Sequence, residues 1–312
     1  MKIAIVYDRL LRPDTTGTHV EEALRELGHQ VAYFAPLASV SGGKIVTNDM
    51  AALGSGFDLY LQVDDDIGYP GPVQYHPSAY WCVDTHRMNQ MAGGWSRLRK
   101  AEGFDYVFTA QRDGVDIFRN AGYGGATWLP LACNPKIHRR IAGLPTLYKW
   151  CFVGSMTPQR RALTDALRAR WLNCFVGTLF GEAMTRMYTQ SRIILNRSVG
   201  NDINMRVFEA MACGGLLITN RVGNGEELLF DDSLLAYGSV DELTALFEHY
   251  LRDDAARESV AARQHALVHE RHSYRRRMEE MLGHIFAGKA HEGAVVPERL
   301  HASHDGASPS PS

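Results

Sequence analysis

The sequence predicts an α/β protein made of two Rossmann-like halves, each with a parallel sheet, facing one another across a cleft. Three observations carry that prediction. Short apolar runs alternate with helical periods through the first part of the chain, as expected of βαβ units around a parallel sheet. The alternation breaks over residues 134–149, where Pro135, Gly143, Pro145 and several basic residues follow one another without a sustained period. It restarts at Trp150. A chain of 312 residues is long for one such sheet and comfortable for two. The expected units are an N-terminal domain over 1–140, a C-terminal domain over 146–265, a helix over 266–287 and a disordered tail over 288–312.

The elements follow in order. Residues 3–7 form a buried strand, and the run ends too soon in charge at Asp8 to read as a secretory leader. Thr18-His19-Val20-Glu21 has capping-box spacing; Val20, Leu24 and Leu27 continue at helical intervals until Gly28 stops the helix. Further strands are expected at 31–34, 59–63, 79–83, 106–109 and 127–129, with a helix over 111–120 joining the last two and Gly122 closing it. In the second half the predicted strands are 150–153, 173–176, 193–196 and 216–219. Helices over 158–170, 182–191 and 204–213 separate them, the last ended by Gly214. Ser239-Val240-Asp241-Glu242 is a second capping box opening a helix to about Leu251, and two more helical stretches reach Ala287. From Gly288 onward Ala, His, Gly, Ser and Pro dominate, a composition that cannot bury a core.

Composition excludes several classes. Hydrophobic content of 45% against 22% charged residues is the balance of a soluble globular protein. A net charge of -2 gives no bulk pull toward nucleic acid or anionic membrane, and neither is expected as a partner. No apolar run approaches the roughly 20 residues that span a bilayer. Cys82, Cys133, Cys151, Cys174 and Cys213 are odd in number and scattered, with neither disulfide nor zinc spacing. They read as small core residues in a reducing compartment, with the cytoplasm as the expected location.

The segment Phe152-Val153-Gly154-Ser155-Met156-Thr157-Pro158-Gln159-Arg160-Arg161 has the mechanics of an anion site. A strand ends at Gly154, where the missing Cβ lets a ligand approach the backbone. Thr157 can cap the next helix and Pro158 suits its first position. Free N–H groups and the positive dipole end then point outward, with Arg160 and Arg161 adding charge, which together make a diphosphate site. An ordinary βα turn with two solvated arginines fits the same residues. Dinucleotide binding fails its specific test, because no Gly-x-Gly-x-x-Gly follows either first strand, and no P-loop motif is present.

Glu209 sits in an otherwise apolar helical run, Asn204-Met205-Arg206-Val207-Phe208-Glu209-Ala210-Met211-Ala212-Cys213-Gly214. A buried carboxylate needs partners. Arg206 at i−3 offers an ion pair; the two hydroxyls of a ribose in the cleft offer the alternative. Gly223 and Asn224, in the turn before Glu226 and Glu227, can touch sugar or phosphate or form a plain surface turn.

That same 204–214 run resembles the nucleotide-sugar signature of GT-B glycosyltransferases, and more narrowly the spore-maturation-protein-like (CgeB-type) group related to glycosyltransferase family 4. Phe104-Asp105-Tyr106-Val107-Phe108-Thr109, Leu129-Pro130-Leu131-Ala132, Phe152-Val153-Gly154-Ser155, Leu195-Asn196 and His272-Ser273-Tyr274 match as well. The resemblance implies an N-terminal acceptor domain, a C-terminal donor domain and a final helix crossing back to the first. It places Gly154, Ser155, Arg160 and Arg161 at the diphosphate, and Asn204, Arg206 and Glu209 on the donor side, with Glu209 on the ribose. The family's Glu-x7-Glu pair has Asn201 at its first position here, so the carboxylate that touches donor sugar is missing.

On the acceptor side, Trp81-Cys82-Val83-Asp84-Thr85-His86 ends a buried strand in polar residues. His86 is the candidate for the histidine that the family carries near the reacting sugar, and Asp84 orients it or acts as a base. A loop after a strand explains both equally. Gly17 and Thr18 approach the donor phosphate from the opposite domain. Asp64-Asp65-Asp66 invites a metal, but it lies far from the donor signature and is read as acceptor binding or solvated charge; no metal and no cofactor are expected.

The expected function is a hexosyltransferase-type glycosyltransferase moving sugar from a UDP- or GDP-sugar to an acceptor hydroxyl of unknown identity, with retention implied by the family 4 kinship. The alternatives are a catalytically weak nucleotide- or glycan-binding relative in surface or coat assembly, and a nucleotide-sugar epimerase-like protein.

Overall fold

The computed structural model describes residues 1–9, 15–41, 44–64, 75–87 and 96–287. The expected tail over 288–312, and Asp65 and Asp66, lie outside them. The first half runs β1 (Lys2–Val6), α1 (Thr16–Glu26), β2 (Gln30–Phe34), β3 (Leu37–Ser41), β4 (Lys44–Thr47), β5 (Leu59–Val63), β6 (Ser78–Cys82), α2 (Arg97–Lys100), β7 (Tyr106–Thr109), α3 (Arg112–Asn120) and β8 (Thr127–Trp128). The second runs β9 (Tyr148–Val153), α4 (Pro158–Arg170), β10 (Cys174–Gly177), α5 (Gly181–Thr189), β11 (Ser191–Leu195), α6 (Met205–Ala212), β12 (Leu216–Asn220), α7 (Glu226–Phe230), β13 (Leu235–Tyr237), α8 (Val240–Arg252), α9 (Asp254–Arg271) and α10 (Tyr274–Ala287).

Two parallel sheets result, in the orders β2-β1-β5-β6-β7-β8 and β10-β9-β11-β12-β13. Their central strands are buried throughout, which is why they read as continuous apolar runs. The β3–β4 pair is antiparallel and absent from the sequence prediction.

Of the two expected capping boxes, one forms in part and one does not form. Ser239 accepts from the Glu242 N–H, while Glu242 reaches one residue past this N-cap to the Gly238 N–H at 2.7 Å. At the first helix the N-cap is Thr15, and Thr18 lies inside α1. Glu21 is drawn elsewhere, accepting from the Tyr7 hydroxyl at 2.7 Å and from Arg25 at 2.9 Å, so it cannot close a box.

The segment 134–149 is more than a tether. Leu129, Leu131, Ala132 and Cys133, just before it, are buried in one cluster that also holds Trp81 and Phe108 of the first sheet and Val153, Phe208 and Met211 of the second half. The two halves therefore share a core at this seam. Cys133 pairs with Ser273 in a parallel bridge, and α10 then packs on α1, with Tyr106 donating to the Ile285 carbonyl at 3.1 Å. All five cysteines are free thiols; burial pushes those of Cys133 and Cys151 up to about 12.

Candidate active site between the two sheets

Each sheet reverses its strand order once near its middle, β2 and β5 flanking β1, and β10 and β11 flanking β9. Such reversals open crevices at the carboxyl ends of strands. Here both ends line one cleft of about 550 Å³. Asp8, Asp64, Asp84 and His86 come from the first half, Gly154, Arg160, Arg206 and Glu209 from the second.

The β9–α4 turn forms as its residues dictate. Thr157 accepts from the Arg160 N–H and Pro158 takes the first helical position, leaving the N-terminus of a 13-residue helix directed at the cleft. Gly154 has a steric requirement: a Cβ there would stand 2.8 Å from Cζ of Arg206. The Arg206 guanidinium thus lies against the turn, with Nη1 buried and without a hydrogen-bond partner among the described residues. Arg160 is buried and braces the loop, donating to the Ser155 carbonyl at 2.9 Å and the Arg197 carbonyl at 2.8 Å. Burial first, and then repulsion from Arg206, lowers its guanidinium to about 10, which leaves it charged at neutral pH. Arg161 is exposed and outside the cleft, since successive helical residues diverge by about 100°. The cation pair at the turn is Arg160 with Arg206, where the sequence pointed to Arg160 with Arg161.

Glu209, 2% exposed on α6, lines the same cleft. The ion pair with Arg206 does not form, because Arg206 is turned to Gly154. Oε1 of Glu209 lies 3.7 Å from Nε2 of His138 instead. The His138 Nδ1 accepts the Asn134 N–H at 3.0 Å, so the ring proton sits on Nε2 and faces the carboxylate. His19 completes a buried group of three whose ligating atoms lie within 4.8 Å of one another. That spacing suits a cation, but a protonated Nε2 has no lone pair for one.

Asn204 lines the cleft from the N-cap of α6, its amide nitrogen donating to Ser198 at 3.1 Å and its Oδ1 buried without a partner among the described residues. Gly17 lines it too; a Cβ there would overlap the Tyr7 ring at 2.1 Å. Thr18 does not reach the cleft. Asp84 and His86 do, at the end of β6, with Asp84 held 3.6 Å from Arg97. Asp64 is no solvated charge: it is buried between Arg97 at 2.6 Å and Lys100 at 3.3 Å.

Gly223 and Asn224 lie outside the cleft. The N–H groups of Val222, Gly223 and Asn224 all donate to the Glu226 carboxylate at 2.8–2.9 Å and are closed to a ligand. Although burial opposes it, those bonds hold Glu226 below the usual carboxylate range. Asn224 works as a clasp between the halves, its side chain bonding the Asp113 N–H at 3.0 Å and the Asn201 carbonyl at 2.9 Å. Asn201 in turn donates to Asp113 and is not part of the cleft wall. Gln111, fully buried, spans the same seam to Asp202 and to both backbone groups of Ile203.

Asp202 faces the cleft beside Asp84 and His86, their ligating atoms within 4.8 Å. Burial, and then the nearby Asp84, raise its carboxyl to about 8 against the pull of Arg206 and Arg160. Sequence reading passed over Asp202, Gln111 and His138. An acid next to Asn201 was visible; buried amides and a linker imidazole give no periodic signal.

A cleft between two facing parallel α/β sheets, with a helix N-terminus and a buried acid in the wall that the second half supplies, is the GT-B arrangement. Residues 129–283 match a family model described as "Glycosyl transferase-like". No curated protein sequence matches the chain. Among solved structures it is similar to sucrose-phosphate synthase from Thermosynechococcus elongatus at 14% identity and a TM-score of 0.62, over 92% of this chain and 100% of that one. An α-glucosyltransferase crystallised with UDP and a 13-mer DNA gives 10% identity and a TM-score of 0.64, over 91% and 99% of the two chains. Anabaena HepE with UDP and glucose gives 12% identity and a TM-score of 0.62, over 92% and 100%. The chain has the GT-B fold, and within it residues 129–283 carry the glycosyl transferase-like match. Among the described residues no helix is long and apolar enough to cross a membrane.

Proposed function

We propose that the protein transfers a sugar, of hexose type, from a nucleoside-diphosphate sugar to an acceptor hydroxyl. The observation that supports this most is the meeting of Gly154, Arg206 and Glu209 in the wall of one cleft. In this reading the diphosphate lies on the α4 N-terminus between Arg160 and Arg206, and Glu209 accepts the ribose hydroxyls. Charge that develops on the leaving diphosphate then meets preorganised donors, an arrangement typically worth about 3–4 kcal/mol in a transition state. The acceptor hydroxyl enters from the first half, beside His86, Asp84 and Asp202. Asp84, held by Arg97, orients His86 more readily than it takes a proton.

We further propose that the reaction retains anomeric configuration, as the family 4 resemblance implies, and runs without a metal because the two arginines supply the positive charge. Product configuration by NMR tests the first point. Turnover that requires Mn²⁺ or Mg²⁺ and stops with EDTA would sink the second and direct attention to Asp84, His86 and Asp202. The near-neutral net charge favours an acceptor other than nucleic acid, which a binding titration with single- and double-stranded DNA checks. UDP and GDP are the donors' leaving groups to compare by calorimetry. Glu209→Ala should weaken the better one by about ten- to a hundredfold without unfolding the protein. Unchanged affinity removes Glu209 from the site.

A further inference from the structure

His138 is the buried ionisable residue that packing alone does not explain. It belongs to the segment between the halves, is fully buried, and stands where an apolar side chain would complete the core more simply. A buried imidazole needs its polar atoms directed at partners. Asn134 supplies the framework: its N–H takes Nδ1 of His138 at 3.0 Å, and its side-chain nitrogen lies 3.3 Å from Nδ1 of His19 and 2.6 Å from Oε2 of Glu22. His19 meets the His138 ring edge-on at 5.2 Å and stacks on Tyr274 of α10, also at 5.2 Å. The linker, α1 and α10 therefore all fix one imidazole, and its protonated Nε2 is aimed at Glu209.

We propose that His138 is a positioning residue for Glu209, an uncharged donor that holds one carboxylate oxygen so that the other is presented to ribose. This rests on the ribose reading of Glu209. A neutral donor differs from an arginine or lysine in a way that matters here. It fixes the carboxylate rotamer without neutralising its charge, so the hydroxyls of a ligand still meet a full anion, and hydrogen bonds to a charged group are the stronger kind. The 3.7 Å separation is longer than a hydrogen bond, as functional contacts commonly are before a ligand draws them tight.

The test pairs a residue change with a ligand change in the full-length protein. Calorimetry gives the affinities of wild type for UDP and for 2′,3′-dideoxy-UDP, whose ratio measures what the ribose hydroxyls contribute. His138→Phe keeps ring volume and removes the donor. It should weaken UDP about tenfold, leave the dideoxy analogue within twofold, and so collapse the ratio. His138→Gln, whose amide nitrogen can donate, should restore much of the ratio; it also carries the test where His138→Phe fails to fold. Equal weakening of both ligands would reduce His138 to a packing residue, and an intact ratio in His138→Phe, or a collapsed one in a folded His138→Gln, would overturn the proposal. Glu209→Gln separates the two layers. A wild-type ratio near one that Glu209→Gln does not alter defeats the ribose reading itself, and the role of His138 with it.

Discussion

Two of the buried carboxylates that line the cleft are held in opposite ways. Asp64, at the end of β5, is clamped by two cations, Arg97 and Lys100, whose side chains are as inaccessible as its own. Glu209, on α6, lies 3.7 Å from an imidazole whose proton is pinned to the facing nitrogen. Compensation by opposite charge spends an acid on the fold, because its lone pairs and its field are both consumed locally. An uncharged donor leaves the field intact for something that enters the cleft. The contrast assigns the first half's acid to the fold and, in the proposed reading, leaves the second's to a ligand.

The largest effect that can break this contrast is on stability. Asp64→Ala leaves Arg97 and Lys100 buried without their anion, which should cost about 3–5 kcal/mol in chemical denaturation. Nucleotide affinity should stay within a few fold where the variant is folded. A mild stability loss with a large loss of binding would reverse the roles assigned to the two acids.

Next in size is the cation that faces the turn. Arg206→Ala should lower UDP or GDP affinity by ten- to a hundredfold, the scale of one or two hydrogen bonds to a charged group, with little change in stability because Arg206 is only half-buried. Gly154→Ala should do part of the same damage, since its new methyl displaces that guanidinium. Equal affinities in wild type and Arg206→Ala would move the diphosphate away from the β9–α4 turn.

Asp202 sharpens the comparison through pH. Its folded-state carboxyl titrates at about 8, whereas an unfolded one titrates near 3.8, so between those values the native state carries a proton that the unfolded state has lost. Stability therefore falls as pH rises from about 4 to about 8 and levels off above. Asp202→Asn mimics the protonated form and keeps an oxygen for Gln111. Its melting temperature should exceed that of wild type by several degrees at pH 8.5 and converge with it near pH 4.5. Parallel curves would mean that Asp202 is ionised in the folded protein.

Much of this was legible beforehand, and the residues show why. Gly154, Thr157 and Pro158 act through backbone geometry, which a local sequence states openly; Glu209 announced itself by being polar where its helix is not. What failed had a long-range cause. Thr18 and Glu21 have capping-box spacing, but Tyr7, fourteen positions earlier, takes Glu21 away. Glu226 spends itself on three backbone N–H groups and closes the turn that Gly223 and Asn224 seemed to open. Asn201 is claimed by Asp113 across the seam between the halves. In each case a partner distant in sequence decided which of two locally reasonable roles a side chain took.

Arg161 gives the smallest effect and the cleanest control. It adjoins Arg160, carries the same charge and fits the same sequence reading, yet α4 turns it into solvent. Arg161→Ala should therefore leave stability within about 0.5 kcal/mol and nucleotide affinity within twofold at physiological salt. At low salt a slightly weaker affinity is expected, because an exposed charge still acts over a Debye length that grows to about 30 Å at 0.01 M. The contrast with Arg206→Ala isolates position from charge: both variants lose one positive charge on the second half, and only one loses it from the cleft wall. A tenfold loss in Arg161→Ala would mean that the diphosphate runs along the outside of α4, where neither Arg206 nor Glu209 could reach the nucleotide it belongs to.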